Sequence, residues 1–278
     1  MSSIVVKSRS KSLKSDSYDS ISSIDQLLKQ ISKNNNRINP NRIRITNEFN
    51  NLIKTDKELI ESKEINVKDL GPQIGWRTVY IIEYLGPIII HYLAYNYLFD
   101  QPIKTKLIYQ LNLIHYFKRE IENIFVHKFS NSTMPLFNLF KNSGHYWALG
   151  GSLIAIYGDI LNIDIPNYDP TKYTEILTYI WVISEFFNAI THIQLRLLGD
   201  KSIRKGLPKQ APKGGFFEIF TAPNYTFEIY GWITIFLLRP NITTLIFLIV
   251  GATQMFFWVQ KKNKIYGQKK SFLIPFIF

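Results

Sequence analysis

From Thr78 onward, apolar stretches recur at 78–99, 106–117, 144–161, 173–195, 216–238 and 242–259. A helix needs about 20 residues to cross the hydrocarbon core of a bilayer. Most of these stretches approach that length, although 106–117 is short and needs its polar continuation. The recurrence predicts an all-α, multi-pass membrane helical bundle of about six transmembrane helices. Residues 1–70 are of a different kind, polar and rich in Ser, Lys and Asn. Within them the β-branched runs Ile4–Val6 and Ile43–Ile45 predict strands, while Ile24, Leu27, Leu28 and Ile31 share one helical face. Strands around one amphipathic helix suggest a small β-grasp module; an unfolded tail has the same composition and is the alternative. The expected organisation is therefore a cytosolic module over 1–70 and a membrane domain over 71–278.

The formal net charge is +12, and its placement matters more than its size. With a cytosolic N-terminus and six spans, 118–143 (Lys118, Arg119, Lys128, Lys141), 196–215 (Arg196, Lys201, Arg204, Lys205, Lys209, Lys213) and the basic tail fall on one side. Lys104, Lys106, Lys172 and Arg239 are left for the other. That asymmetry follows the positive-inside rule and places both termini in the cytosol. No apolar run with a cleavage site opens the sequence, so no secretory leader is expected. Cations gathered beside hydrophobic helices, and not interleaved with aromatics in a groove, argue against nucleic acid and for an anionic ligand or lipid headgroups. Cysteine is absent, which removes disulfides, thiolate nucleophiles and Cys-based metal sites; no metal ligand set is expected.

Polar residues inside the apolar stretches are the candidate site. Glu185, Asn188, His192 and Arg196 follow at intervals of three, four and four and form one helical stripe. Ionisable groups at membrane depth need a bundle interior or a wet cavity, and so mark function; a structural hydrogen-bond network between helices is the alternative. In "APNYTFE", Asn224 and Glu228 stand four apart with Tyr225 beside them. Gln73, Arg77, Tyr80 and Tyr84 line a second face, with Glu83 one step aside, although Trp76 and Tyr80 also suit an interfacial aromatic belt. "PKGGFF" is a turn preceded by Lys201, Arg204, Lys205, Lys209 and Lys213, a density of cations suited to a 2′-phosphate and a pyrophosphate. No GxGxxG follows a strand, so a Rossmann domain is not indicated.

Assembled, the segments "VKDLGPQIGWRTVYIIEYLGP", "HYFKREIENIFVHKFSNSTMPLFNLFKNSGHYW", "NAITHIQLRLLGD", "PKGGFFEIFTAPNYTFEIYGW" and "IPFIF" resemble the trans-2-enoyl-CoA reductases, within the steroid 5α-reductase superfamily. The resemblance covers most of the chain. It implies an endoplasmic reticulum membrane enzyme that reduces very-long-chain trans-2-enoyl-CoA with NADPH, the last step of fatty acid elongation, a pathway that also feeds sphingolipid metabolism. It also implies a ubiquitin-like N-terminal module and other elongase subunits as partners. Residue by residue, the catalytic pair falls on Gln73 and Tyr225. Asn188, His192, Arg196, Asn224 and Glu228 fall in the NADPH pocket with Gly214 and Gly215 at its turn, and Tyr266 remains from a tail that is shorter than usual. Gly199 and Asn263 stand where relatives commonly carry Arg and His. A sterol or polyprenal-type reductase, and a catalytically weak elongase-complex subunit, are the alternatives.

Overall fold

The computed structural model describes residues 3–98, 103–128, 133–158, 160–204 and 211–275, with the side chains of 103–105 and 201–204 left aside. The described chain is mostly helical and divides into two compact units.

The first unit spans Met1–Trp76 together with Asn131–Leu139. Its strands β1 (Ile4–Ser8), β2 (Asp16–Tyr18), β3 (Ile43–Asn47) and β4 (Glu64–Asp69) form one sheet in the order β2-β1-β4-β3. β1 pairs antiparallel with β2 and parallel with β4, and β3 pairs antiparallel with β4. Alternation along β1 buries Ile4 and Val6, which join Ile43, Ile45, Ile65 and Val67 under helix α1 (Ile24–Asn34). α1 contributes Leu27 and Ile31 to that core and is capped by Ser23, whose hydroxyl accepts from the Gln26 amide. This core excludes the unfolded-tail alternative. A short helix α2 (Asp56–Glu61) and a small antiparallel pair, β5 (Gln73–Gly75) with β6 (Thr133–Pro135), complete the unit.

One ion pair closes the sheet edge. Arg42 donates to Asp69 from Nε at 3.0 Å and Nη2 at 2.7 Å, and Asp69 also accepts from Ser12 Oγ at 2.7 Å and the Gly71 amide at 2.8 Å. The Arg42 hydrogen bonds hold the Asp69 carboxyl down at about 2. Because folding lowers this pKa, the contribution is present above about pH 4 and is lost as pH falls toward 2. Asp69→Asn is expected to lower amide-exchange protection across β3 and β4 at pH 7, and to flatten the acid-induced loss of protection seen in the wild type. Equal protection in both proteins at pH 7 would remove the pair from the account.

The second unit spans Arg77–Ser130 and Phe140–Phe278. Its helical segments follow the six apolar runs in order. α3 (Trp76–Leu93) continues in wider turns to Leu98, α4 (Ile103–Ile121) to Val126, and α5 (Phe137–Gly144) to Tyr157. After these come α6 (Thr174–Arg204), α7 (Pro223–Leu238) and α8 (Ile242–Tyr266). Among the described residues, two stretches, Pro170–Asp200 and Ile242–Tyr266, are long and apolar enough to cross a membrane. The other four fall short for identifiable reasons. Arg77 and Glu83 interrupt α3, charged residues run along α4, the fifth segment pairs a short α5 with its wider-wound continuation, and α7 has 16 residues. The apolar run at 216 also begins before its helix. Gly214 takes φ 90°, a single 3₁₀ turn covers Gly215–Glu218, and Pro223 supplies the first turn of α7.

Helix α6 is built inside out. Tyr179 is 67% and Phe186 59% exposed, while Asn188 is 1% and His192 6% exposed on the opposite face. A helix surrounded by water buries its apolar stripe; α6 turns that stripe outward and its amide, carboxylate and imidazole inward. The apolar core inside the unit comprises Tyr84, Ile88, Leu111, Tyr116, Trp181 and Trp232 with their neighbours.

Candidate active site

Three helices supply the charged network of the second unit, and α3 adds the Tyr84 hydroxyl. On α4 and its continuation, His115, Lys118, Arg119 and Glu122 lie at i, i+3, i+4 and i+7, one face of a helix. α6 presents Glu185, Asn188 and His192 at the same kind of spacing, and α7 presents Asn224 and Glu228. The faces interlock. His115 bridges two carboxylates, with Nδ1 2.8 Å from Glu185 Oε1 and Nε2 3.4 Å from Glu228 Oε1. Lys118 Nζ lies 2.6 Å from Glu185 Oε2 and also donates to Asn188 Oδ1. Arg119 Nη1 donates to Glu122 Oε2 at 2.6 Å, and its Nη2 to the Tyr84 hydroxyl at 3.0 Å. His192 Nδ1 sits 2.9 Å from the same Glu122 oxygen. Asn188 Nδ2 donates to the Asn224 carbonyl at 2.7 Å and to Glu228 Oε2 at 3.1 Å, and Asn224 Nδ2 reaches His192 Nε2 at 3.4 Å.

Burying so many charges is unfavourable unless each finds a partner, and here the carboxylates face Lys118, Arg119 and the two imidazoles. A few atoms remain unpaired among the described residues, including Asn224 Oδ1, Arg119 Nε and the Tyr116 hydroxyl. An unmatched amide oxygen buried in a charged lining is an acceptor available to a bound polar group. Glu122, His127 and His192 also place ligand atoms within 4.8 Å of one another. The Arg119 guanidinium already occupies that Glu122 carboxylate, and its charge opposes a cation there.

Tyr225 stands one residue beyond Asn224 and is half-buried. Its hydroxyl lies 3.4 Å from Lys262 Nζ, which also sits 4.4 Å above the ring centroid, and the Trp258 ring is 5.8 Å away.

Of the expected site residues, Asn188, His192, Asn224 and Glu228 are thus joined in one network, and Glu185 belongs with them. Arg196 departs from the stripe: its guanidinium donates to the Phe125 carbonyl and faces Asp200 at 3.9 Å. Gly214 and Gly215 do form a turn at positive φ, 90° and 56°. The Gly214 amide is taken by Glu218 Oε1 at 2.6 Å, and its carbonyl accepts from Gln194 at 3.0 Å. Gln73 belongs to the first unit, where its amide nitrogen donates to the Leu70 and Gly71 carbonyls at 3.2 and 3.1 Å and its oxygen accepts from Thr133 at 3.4 Å. The basic side chains of Lys201, Arg204, Lys205 and Lys209 lie outside the described residues, as do the last three residues of "IPFIF".

The α4 contribution does not register in the hydropathy of the sequence. Lys118 and Arg119 fall among the expected loop charges of 118–143; the structure continues the helix, buries Arg119 and leaves Lys118 half-buried. Charged residues depress hydropathy and end the apolar run at 117, although the i, i+3, i+4, i+7 spacing of 115, 118, 119 and 122 carries the signal.

Residues 132–278 match the family described as 3-oxo-5-alpha-steroid 4-dehydrogenase. The Dictyostelium discoideum protein named very-long-chain enoyl-CoA reductase is 36% identical over 98% of this chain and 98% of its own length. The chain belongs to the enoyl-CoA reductase branch of the steroid 5α-reductase superfamily. A Schizosaccharomyces pombe protein with an enoyl reductase name is 40% identical over 76% of this chain and 75% of its own. The mouse trans-2,3-enoyl-CoA reductase-like protein is 32% identical over 75% of this chain and 63% of its own. Within this branch, the matched region contains α6, α7 and α8, so it holds Glu185, Asn188, His192, Asn224, Tyr225 and Glu228, whereas the α4 half of the network lies before it.

Proposed function

We propose that this protein reduces very-long-chain trans-2-enoyl-CoA to saturated acyl-CoA with NADPH, as the last step of fatty acid elongation. Tyr225 carries the assignment: a phenol beside Lys262, next in sequence to Asn224 of the buried network, in a chain whose relatives are named for enoyl-CoA reduction. When bound, NADPH supplies the hydride for Cβ of the substrate. Asn188, His192, Asn224 and Glu228 hold that cofactor, and the unpaired Oδ1 of Asn224 suits a donor group on it. Tyr225 donates a hydrogen bond to the thioester oxygen, or the proton to Cα, and the Lys262 ammonium stabilises negative charge left on the phenol oxygen. The family resemblance also assigns a catalytic role to Gln73. Arg196, the Gly214–Gly215 turn, Tyr266 and the basic loop receive the remaining polar and phosphate groups of the cofactor.

The outward apolar face of α6 supports a place in the bilayer. We assign the protein to the endoplasmic reticulum membrane as about six spans with both termini cytosolic, a β-grasp N-terminal module over 1–70, and a membrane domain over 71–278. Other elongase subunits are its expected partners, and its product also serves sphingolipid synthesis. Membranes containing the protein are expected to oxidise NADPH when given a long-chain trans-2-enoyl-CoA and to ignore a steroid 4-ene-3-one. Turnover of the steroid enone with no turnover of the enoyl-CoA would assign the site to the sterol branch instead.

A further inference from the structure

The open face of the N-terminal sheet carries charge that its own fold does not neutralise. Alternation along the strands buries Ile4, Val6, Ile45, Ile65 and Val67 under α1 and turns Val5, Lys7, Arg44, Glu64 and Lys68 to the other side. Arg44 and Lys68 stand directly opposite each other in the β3–β4 ladder, where like charges are destabilising. Arg9, whose amide donates to the Val67 carbonyl at 2.8 Å, continues β1 alongside them and adds a third cation. Other cations of the unit find acids: Lys7 lies 2.7 Å from Glu64, Lys29 2.6 Å from Asp25 and Arg42 2.7 Å from Asp69. Arg9 donates to the neutral side-chain oxygen of Asn50. Among the described residues, neither Arg44 nor Lys68 is paired with a carboxylate. Stability alone would favour an acid at one of these two positions, since an opposite-charge pair strengthens a ladder.

The same face is apolar in part. Leu52 is bridged to Thr46 at the β3 edge, and Leu52 and Val5 are exposed, as is Phe49 in the turn between them. Cations interspersed with exposed apolar side chains match a surface that is anionic and overlies hydrocarbon, the headgroup layer of a membrane. The chain keeps such a surface within reach. Lys68 precedes Trp76, the first residue of α3, by eight residues, at most about 28 Å of extended chain. That tether raises the effective concentration of headgroups at the sheet, whereas a separate acidic protein has no such advantage.

We propose that the open face of the N-terminal sheet docks on anionic lipid headgroups, with Arg44 and Lys68 as its main contacts. The inference rests on α3 and the helices after it lying in a bilayer, as proposed above, and it assigns a lipid-binding surface to the N-terminal module. Each Lys or Arg held near an anionic leaflet favours the docked form by about five-fold, so Arg44 and Lys68 together favour it by about 25-fold.

The test uses the full-length protein in lipid nanodiscs of phosphatidylcholine, with or without phosphatidylserine. Because the sequence has no cysteine, a nitroxide on Val5→Cys reports on the open face alone, and one on Asp25→Cys reports on α1 across the sheet. Collisions of the Val5→Cys label with a neutral, water-soluble nickel chelate are expected to fall several-fold when phosphatidylserine is present, and those of the Asp25→Cys label to stay the same. Arg44→Glu/Lys68→Glu, or high salt, is expected to restore the collisions. Equal collision rates in the two lipids overturn the proposal. Shielding that appears only in native membranes also overturns it, and would assign the face to an acidic protein. Protein that alkaline washing releases from membranes would refute the membrane placement itself, whereas retained protein whose residue 5 ignores phosphatidylserine would refute the docking alone.

Discussion

Arg119→Met is expected to destabilise the helical unit by about 3 kcal/mol, because removing one member of a buried ion pair leaves the other charge unmatched. Arg119 is 8% exposed and Glu122 3%. Glu122 Oε2 would retain His192 at 2.9 Å but lose its guanidinium at 2.6 Å, and the Tyr84 hydroxyl would lose its donor. Thermal unfolding in detergent micelles reads the effect. The double variant Arg119→Met/Glu122→Gln is expected to recover part of the loss, since the orphaned carboxylate is then gone. A single variant that unfolds at the wild-type midpoint would mean that water or lipid headgroups, and not Arg119, solvate Glu122.

Tyr225→Phe is expected to lower enoyl-CoA-dependent NADPH oxidation by on the order of 100-fold, the usual consequence of deleting one donor aimed at a developing oxyanion. The ring is kept, so its packing near Trp258 and beneath Lys262 is kept as well. Unfolding temperature should therefore stay close to the wild type, and NADPH binding should change little, because Asn188, Asn224 and Glu228 are untouched. A fall in kcat with unchanged cofactor affinity would place Tyr225 in the chemical step. Activity within a few-fold of wild type would move the donor role elsewhere, with the unpaired Tyr116 hydroxyl the next group to vary.

How far the sequence foretold the site depended on whether its residues were neighbours along one helix. Glu185, Asn188 and His192 were legible because a 3.6-residue period aligns them regardless of what they face, and Asn224 with Glu228 for the same reason. Arg196 has the right spacing, but its long side chain leaves the stripe for the Phe125 carbonyl, a choice made by tertiary structure. Lys118, Arg119 and Glu122 were hidden by their own charge, which reads as loop until a partner helix neutralises it. In the N-terminal unit, the strands at Ile4–Val6 and Ile43–Ile45 and the face of α1 were visible as periodicity. The parallel pairing of β1 with β4 was not, because register between distant strands leaves no local trace. The apolar runs located each helix but not its ends: Gly214 and Pro223 delay the start of α7, α4 extends in both directions, α5 begins well before 144, and α6 and α8 run on past 195 and 259 into polar residues.

A reductase of α,β-unsaturated thioesters leaves an isotopic mark on its product. The most direct test supplies the wild-type protein with NADPH deuterated at the transferable C4 position and a long-chain trans-2-enoyl-CoA, and follows the product by mass spectrometry. Saturated acyl-CoA carrying one deuterium at Cβ, formed at a rate that matches NADPH oxidation, is the expected product. Saturated product without deuterium, or no saturated product from well-folded protein, would contradict the reductase assignment.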